Sequence, residues 1–479
     1  MRRAHVWAVV DQGSSSTKGG LVSEAGEITS STRVPVKRTV SGDSVRQEPS
    51  ELAGSVETVL DRLLGKAATG SIAGIGLTCQ RSTCLLWDRA SGEALTEALS
   101  WQDRSQSHRA RRLSRHAERI RRRTGLPLSP HYAALKLNYL LRSRRGGLTD
   151  ANKGEVVAGT LDSFLVRRLV DRDLTEPGHA GRTLCFHLNR GVWDSELCRL
   201  FGVPENALPE IVPSGGARGT YRDIPLVAVA GDQQAALLGH GGWQPGTTAA
   251  HFGTGAFVLS STGSSPISDR SVLSAALATT ARVRRYQAEG SVNSAGAAVD
   301  WACALTGQKL GSWKTRVLEP DELPWVLPTF AGAATPWWQP GASGVIAQLG
   351  LETTGTDLLG GVLFGVAMRV LDCVEALARA GVATRVLRVS GKLTRLDGLV
   401  GALADAGQIP VEVSRQEEMG LLGIARLAIA GSTGRSKLLS TGPELRKRRE
   451  PRWPAAKARR MRRRWRRFAK QALAAGSQS

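Results

Sequence analysis

The sequence predicts an α/β protein whose two halves face each other across a cleft, and three observations predict it. Residues 6–10, Val-Trp-Ala-Val-Val, are a continuous apolar run with β-branched members, as in a strand buried on both faces. They lead into a hydroxyl-rich turn, Gln12-Gly13-Ser14-Ser15-Ser16-Thr17-Lys18. Strand-like runs at 72–77 and 224–230 alternate with helical patterns at 50–65 and 105–123. The opening theme then returns: Val227-Ala228-Val229-Ala230 runs into Gly231-Asp232-Gln233-Gln234, and His251-Phe252-Gly253-Thr254-Gly255 makes a second glycine–threonine turn between apolar runs.

The length of 479 residues suits two large domains at about 150 or more residues each. We expect them at 1–240 and 241–456. The second half continues with a helical pattern at 356–380, where Leu358, Val362, Val366, Val370 and Val374 recur every four residues, then a strand at 386–389 and a turn at Gly391. Residues 457–479 read as a basic terminal helix. Met461, Trp465, Phe468 and Ala472 fall at i, i+4, i+7 and i+11 and form an apolar stripe that would dock on the body.

Composition narrows the function. Of the net charge of +22, +14 lies in residues 435–470, so the body is too weakly basic to demand a nucleic-acid partner, and none is expected. The six cysteines form no C-x-x-C pair, and the histidines supply no H-E-x-x-H, which disfavours structural zinc and a disulfide framework. The apolar run before Asp11 is too short for a signal-peptide core, and no uncharged stretch can span a bilayer as a helix. A cytoplasmic protein is expected, with homo-oligomerisation left open.

Two segments carry chemistry. Asp11 at a strand end, followed by Ser14, Ser15 and Lys18, can hold a divalent cation and phosphate oxygens together. Asp232, directly after a buried strand, suits a general base that takes a proton from an alcohol, and equally a helix N-cap. Ser15-x-x-Lys18 also matches the S-x-x-K of penicillin-reactive enzymes, but no S-D-N or K-T-G accompanies it. There is no Walker A sequence and no G-x-G-x-x-G.

Read in order, Asp11-Gln12-Gly13-Ser14-Ser15-Ser16, Gly76-Leu77-Thr78-Cys79-Gln80-Arg81-Ser82, Ser100-Trp101-Gln102-Asp103-Arg104, Gly159-Thr160-Leu161-Asp162, Gly231-Asp232-Gln233-Gln234-Ala235-Ala236 and Phe252-Gly253-Thr254-Gly255 resemble the FGGY carbohydrate kinases, the glycerol kinases above all. The similarity continues through Glu289-Gly290, Gly296-Ala297, Pro336-Trp337-Trp338 and Gly391. It implies an actin-like ATPase fold: two RNase H-like domains flanking a central cleft, with ATP, Mg²⁺ and a small polyol or ketose between them. The resemblance implies that Asp11 organises Mg²⁺, that Ser14, Ser15, Lys18, Gly253 and Thr254 meet phosphates, and that Gly296, Gly391 and Lys392 lie on the nucleotide side. Asp232 would be the base, and Arg81, Gln233 and Phe257 would surround the acceptor alcohol. Glycerol-specific members have Glu where this chain has Ser82 and Tyr where it has His131, so an acceptor other than glycerol is implied. Lys392 replaces a Gly and stands either to reach a phosphate or to obstruct the base. The alternative is a catalytically weak homologue that binds nucleotide or sugar in a regulatory role.

Overall fold

In the N-terminal half, strand β1 (Val6–Gln12) is buried along nearly its whole length, as its unbroken apolar run requires. It turns back antiparallel into β2 (Ser16–Ser23), which pairs with β3 (Ile28–Pro35). β1 also pairs in parallel with β4 (Ile72–Cys79), and β4 in parallel with β7 (Ile224–Gly231). The intervening β5 (Cys84–Asp88) and β6 (Val156–Thr160) belong to a separate five-stranded sheet. The structure is a computed structural model that describes residues 5–68, 70–280, 283–314 and 316–476.

The C-terminal half repeats the plan. β8 (Thr248–Phe252) is antiparallel to β9 (Ala256–Gly263), and β10 (Leu273–Thr279) and β11 (Arg284–Val292) extend that edge. On its other side β8 is parallel to β12 (Leu387–Ser390), which is parallel to β13 (Val411–Ser414) and is followed at the edge by β14 (Leu445–Arg449). The central orders β3-β2-β1-β4-β7 and β11-β9-β8-β12-β13 are the same third-second-first-fourth-fifth arrangement, that of RNase H-like units.

Helices cover both faces of each sheet. Helix α1 (Pro49–Leu64) packs its apolar side with Ala8, Val10 and Leu77. Helix α2 (Ala133–Ser143) packs on the smaller sheet. Helix α3 (Asp232–Gly239) starts where β7 ends. In the second half, α4 (Gly296–Thr306), α5 (Gly355–Arg379) and α6 (Asp397–Gly407) enclose the core around Ala250 and Val389. Helix α5 opens with a reciprocal Thr354/Asp357 cap.

One helix ties the halves together. α7 (Met419–Thr433) comes late in the chain, yet its Leu421, Ile424, Ala425 and Leu427 share a buried cluster with Trp7, Val9 and Val227 of the N-terminal sheet. It crosses α3 at backbone contact: a Cβ at Gly423 would collide with the Ala235 carbonyl oxygen, and one at Gly239 with that of Met419. Only glycine fits at these two positions. This crossing brings the start of α7 beside the start of α3 and the end of β1.

The expected helix at 105–123 is broken into Ser107–Arg112, a 3₁₀ turn at Ser114–His116 and Ala117–Thr124. Arginines face one another at i,i+4 in the pairs Arg111/Arg115 and Arg115/Arg119, and Ser107–Arg112 buries no residue to offset that repulsion. The C-terminal helix α8 runs Ala455–Gly476, with 477–479 outside the described residues. Met461 and Trp465 are buried and Phe468 partly so, while Arg459, Arg460, Arg463 and Arg467 face outward. Trp465 packs among Trp325 and Phe468 and donates its indole N–H to Asp372 Oδ2 at 3.0 Å; Arg462 reaches the same carboxylate at 3.1 Å.

Trp465→Ala is expected to cost roughly 3–5 kcal/mol, because it empties a large buried site. A urea unfolding curve with an unchanged midpoint would show that α8 contributes nothing to the core.

Candidate functional site

Strand register sets the site. Gln12, Cys79 and Gly231 lie side by side at the carboxyl ends of the parallel strands β1, β4 and β7. The residues that follow each of them, Gly13-Ser14, Gln80-Arg81-Ser82 and Asp232-Gln233, therefore converge at one edge of the sheet, the edge at which open α/β sheets bind ligands.

Asp11 sits between Lys18 of β2 and Thr78 of β4. Its carboxylate faces the start of α7, where a Cβ on Gly420 would stand 3.3 Å from Oδ2. Burial, together with the negative charges of Asp232 and Glu418, pushes its pKa up to about 7 although Lys18 opposes the shift. Lys18 is engaged by Glu418, its ammonium lying 2.7 and 2.8 Å from the two carboxylate oxygens. Asp11 thus feels two further carboxylates and one lysine.

Arg81 is the centre of the second cluster. Its Nη1 and Nη2 donate to Glu289 at 2.8 and 3.1 Å, and its Nε lies 3.2 Å from Asp232 Oδ1. Arg182 binds the same Glu289 from the other side. Burial would raise the Glu289 carboxyl, but Arg182 and Arg81 outweigh it and hold it at about 2. Asp232 Oδ1 also accepts the Gln233 backbone N–H at 2.8 Å, while Oδ2 has only a 3.3 Å contact from the Gln233 amide.

Around these groups lies a polar wall. Ser14 Oγ donates to Gln80 at 3.1 Å and accepts from the Trp101 indole at 2.7 Å. His131 stands edge-on between Trp101 and Tyr132, and burial first, then Lys136 and the two arginines, lower its pKa to about 3, so it is a neutral ring. Ser82 occupies left-handed backbone at φ 65°, and its Oγ is buried without a hydrogen-bond partner; Gln233 Oε1 is likewise buried and unpaired. Buried polar atoms of this kind lack a partner only at a cost.

The facing half supplies the turn Gly253–Gly255. It is fastened to the start of α4: Gly296 donates to the Gly253 carbonyl, and Ala295 and Ala297 donate to that of Thr254, each at 3.0 Å. The Thr254 side chain remains exposed. Gly391 has φ 99°, and a Cβ there would strike Phe252, so the β12 turn sits directly on this loop. Ser390 links His251 and His240 at 3.1 and 3.2 Å. Phe257 is half-buried on β9, Ser15 is exposed at the β1–β2 turn, and Lys392 is exposed at the start of a 3₁₀ turn.

Sequence reasoning missed several members. Glu289 and Trp101 stand in quoted motifs, but nothing in one sequence marks them as partners of Arg81 and Ser14. Arg182 and Glu418 carry no local signal at all. Among the described residues, no group of three or more His, Cys, Asp or Glu is arranged to hold a metal alone. The half-buried Asp11 beside two further carboxylates nevertheless fits Mg²⁺, which keeps waters and takes phosphate oxygens besides one or two carboxylates.

Residues 6–239 match the model of the FGGY family of carbohydrate kinases, N-terminal domain, and residues 248–432 that of its C-terminal domain. A glycerol kinase of Xanthobacter autotrophicus is 35% identical over 445 residues, 88% of each chain, and one of Cereibacter sphaeroides is 34% identical over 461 residues, 92% of each. Among solved structures, the Plasmodium falciparum glycerol kinase with ADP superposes with a TM-score of 0.90 at 23% identity over 98% of both chains. The ligand-bound xylulose kinase of Lactobacillus acidophilus gives 0.88 at 18% identity, covering 99% and 100%. The fold is the actin-like ATPase fold.

The raised pKa of Asp11 makes a pH prediction. Its neutral form is favoured in the folded chain, so its contribution to stability is complete below the unfolded value of 3.8 and is lost as pH rises through about 7. In ligand-free protein, Asp11→Asn should raise Tm relative to wild type more at pH 8 than at pH 5; an equal difference at both pH values contradicts the assignment.

Proposed function

The chain belongs to the FGGY family of carbohydrate kinases and phosphorylates a small polyol or sugar with ATP, and on that premise we propose that Asp232 is the base that activates the acceptor hydroxyl. The observation that carries this is the pairing at Asp232: Oδ1 is taken by the Gln233 amide and Arg81, which leaves Oδ2 the freer oxygen to receive the proton. The Gln233 and Arg81 contacts fix the carboxylate's orientation. Ser82 Oγ and Gln233 Oε1, buried and unpaired, are ready partners for acceptor hydroxyls.

The phosphates lie between the Gly13–Ser15 turn with Lys18 on one side and the Gly253–Thr254 turn on the other. Asp11 would hold Mg²⁺, whose charge would offset that on the transferred phosphoryl group. Lys18 must leave or share Glu418 to reach a phosphate. Gly296, Gly391 and Lys392 border the nucleotide on the facing half. Closing the halves excludes water, which otherwise competes as acceptor. Among the described residues no helix is long and apolar enough to cross a membrane. The six cysteines are free, as suits a reducing, cytoplasmic setting. The regulatory alternative finds no support among the relatives described above, which are named as kinases.

The acceptor is a C4 or C5 polyol or a ketose. Ser82 offers a short hydroxyl and His131 a neutral ring where glycerol-specific members carry Glu and Tyr, so the charged acceptor used for a triol is absent and neutral groups take its place. Coupled ADP-release assays over C3–C5 polyols and ketoses test this through kcat/KM; preference for glycerol by about tenfold or more overturns it. Asp232→Asn should fold and bind ATP but lose at least about 10² in kcat. Near-wild-type turnover by that variant removes Asp232 from the chemistry.

A further inference from the structure

Lys136, in the first turn of α2, has 0% of its surface exposed. Its ammonium donates to three main-chain carbonyls: Ser82 at 2.8 Å, Ser100 at 2.9 Å and His131 at 3.2 Å. It has no carboxylate hydrogen-bond partner; Asp103, the nearest acid, is occupied by Val45 and Ser105. Three acceptors require three N–H groups, which only the charged form supplies. A buried charge without a counter-ion is costly, and here three carbonyl dipoles stand in for the missing anion.

The three carbonyls belong to three separate segments that end at the acceptor side of the cleft. The first follows β4 and carries Arg81 and Ser82, the latter at φ 65°. The second carries Trp101, whose indole holds Ser14. The third carries His131, whose ring packs on Trp101. The first two segments also meet at the Cys84–Leu99 strand pairing and through the Trp101 N–H on Thr83 Oγ1 at 3.1 Å, and the Lys136 ammonium joins both of them to the His131 segment.

We propose that Lys136 is the positioning residue of the acceptor pocket: it fixes the Arg81–Ser82, Trp101 and His131 segments against one another and so sets affinity and selectivity for the acceptor without touching it. The proposal rests on the carbohydrate-kinase reading above. It separates the two substrates, because the nucleotide turns at Gly253 and Gly391 lie on the facing half and have no bond to Lys136. Loss of the ammonium should therefore loosen the acceptor side alone.

The test is steady-state kinetics of Lys136→Met with ATP and acceptor varied separately. The expected result is a rise in acceptor KM of about tenfold or more, a compressed ratio of kcat/KM between the best acceptor and glycerol, and an ATP KM within about twofold of wild type. Lys136→Gln keeps two N–H donors without charge; it should give a smaller rise of the same kind, and it carries the test if the Met variant does not fold. Acceptor and ATP KM that move in parallel, or an unchanged acceptor KM with unchanged selectivity, overturn the proposal. A wild-type enzyme that phosphorylates no polyol or ketose overturns the functional reading instead, so the two failures are distinguishable.

Discussion

A single buried carboxylate, Glu289, joins the two halves beside Asp232, the proposed base. It projects from β11 of the C-terminal half and is held by Arg81 and Arg182 of the N-terminal half. Burial pushes the Glu289 carboxyl up and the two guanidiniums hold it down, while the carboxylate supplies the buried guanidiniums with a counter-charge. The three groups therefore stabilise one another. The consequence reaches the proposed base, because the Arg81 side chain, with both terminal nitrogens bonded to Glu289, presents its Nε to Asp232.

The second constraint is spatial. The glycine contact between α3 and α7 places Glu418 and Gly420 at the end of β1, so that Asp11 feels the charges of Asp232 and Glu418 with Lys18 opposing them, while Asp232 is paired with Arg81. Burial first, and then these like charges, favour protonation, and the rise of Asp11 to about 7 expresses both. A site that accumulates negative charge in this way is poised for a cation arriving with a triphosphate. Tight helix packing is what assembles it.

Much of this was legible in the sequence because it is local. An apolar run ending in Asp11 and a hydroxyl turn, or in Gly231-Asp232, specifies a buried strand and a polar group at its carboxyl end, and the strands formed there. The basic terminal helix was legible from the spacing of Met461, Trp465 and Phe468. The helix at 105–123 was misjudged because its pattern was weighed without the repulsion among its arginines. Glu289, Arg182, Glu418 and Lys136 were out of reach for another reason: the first three acquire their roles from partners about 100 to 400 positions away, and Lys136 from main-chain carbonyls on three separate segments, and no periodicity encodes such pairings. Family resemblance singled out Arg81, Ser82, His131 and Asp232 but not Glu289 and Lys136, the side chains that hold them or their segments.

The account stands on Glu289 as the brace that orients Arg81 toward Asp232. The most direct measurement is acceptor kcat/KM, at saturating ATP, for folded Glu289→Gln, which keeps the shape and removes the charge. The account predicts a loss of at least about 10²-fold, since a small displacement of the groups around the reacting hydroxyl is enough to cause it. A value within about twofold of wild type would contradict it and show that Arg81 and Asp232 hold their geometry without the buried carboxylate.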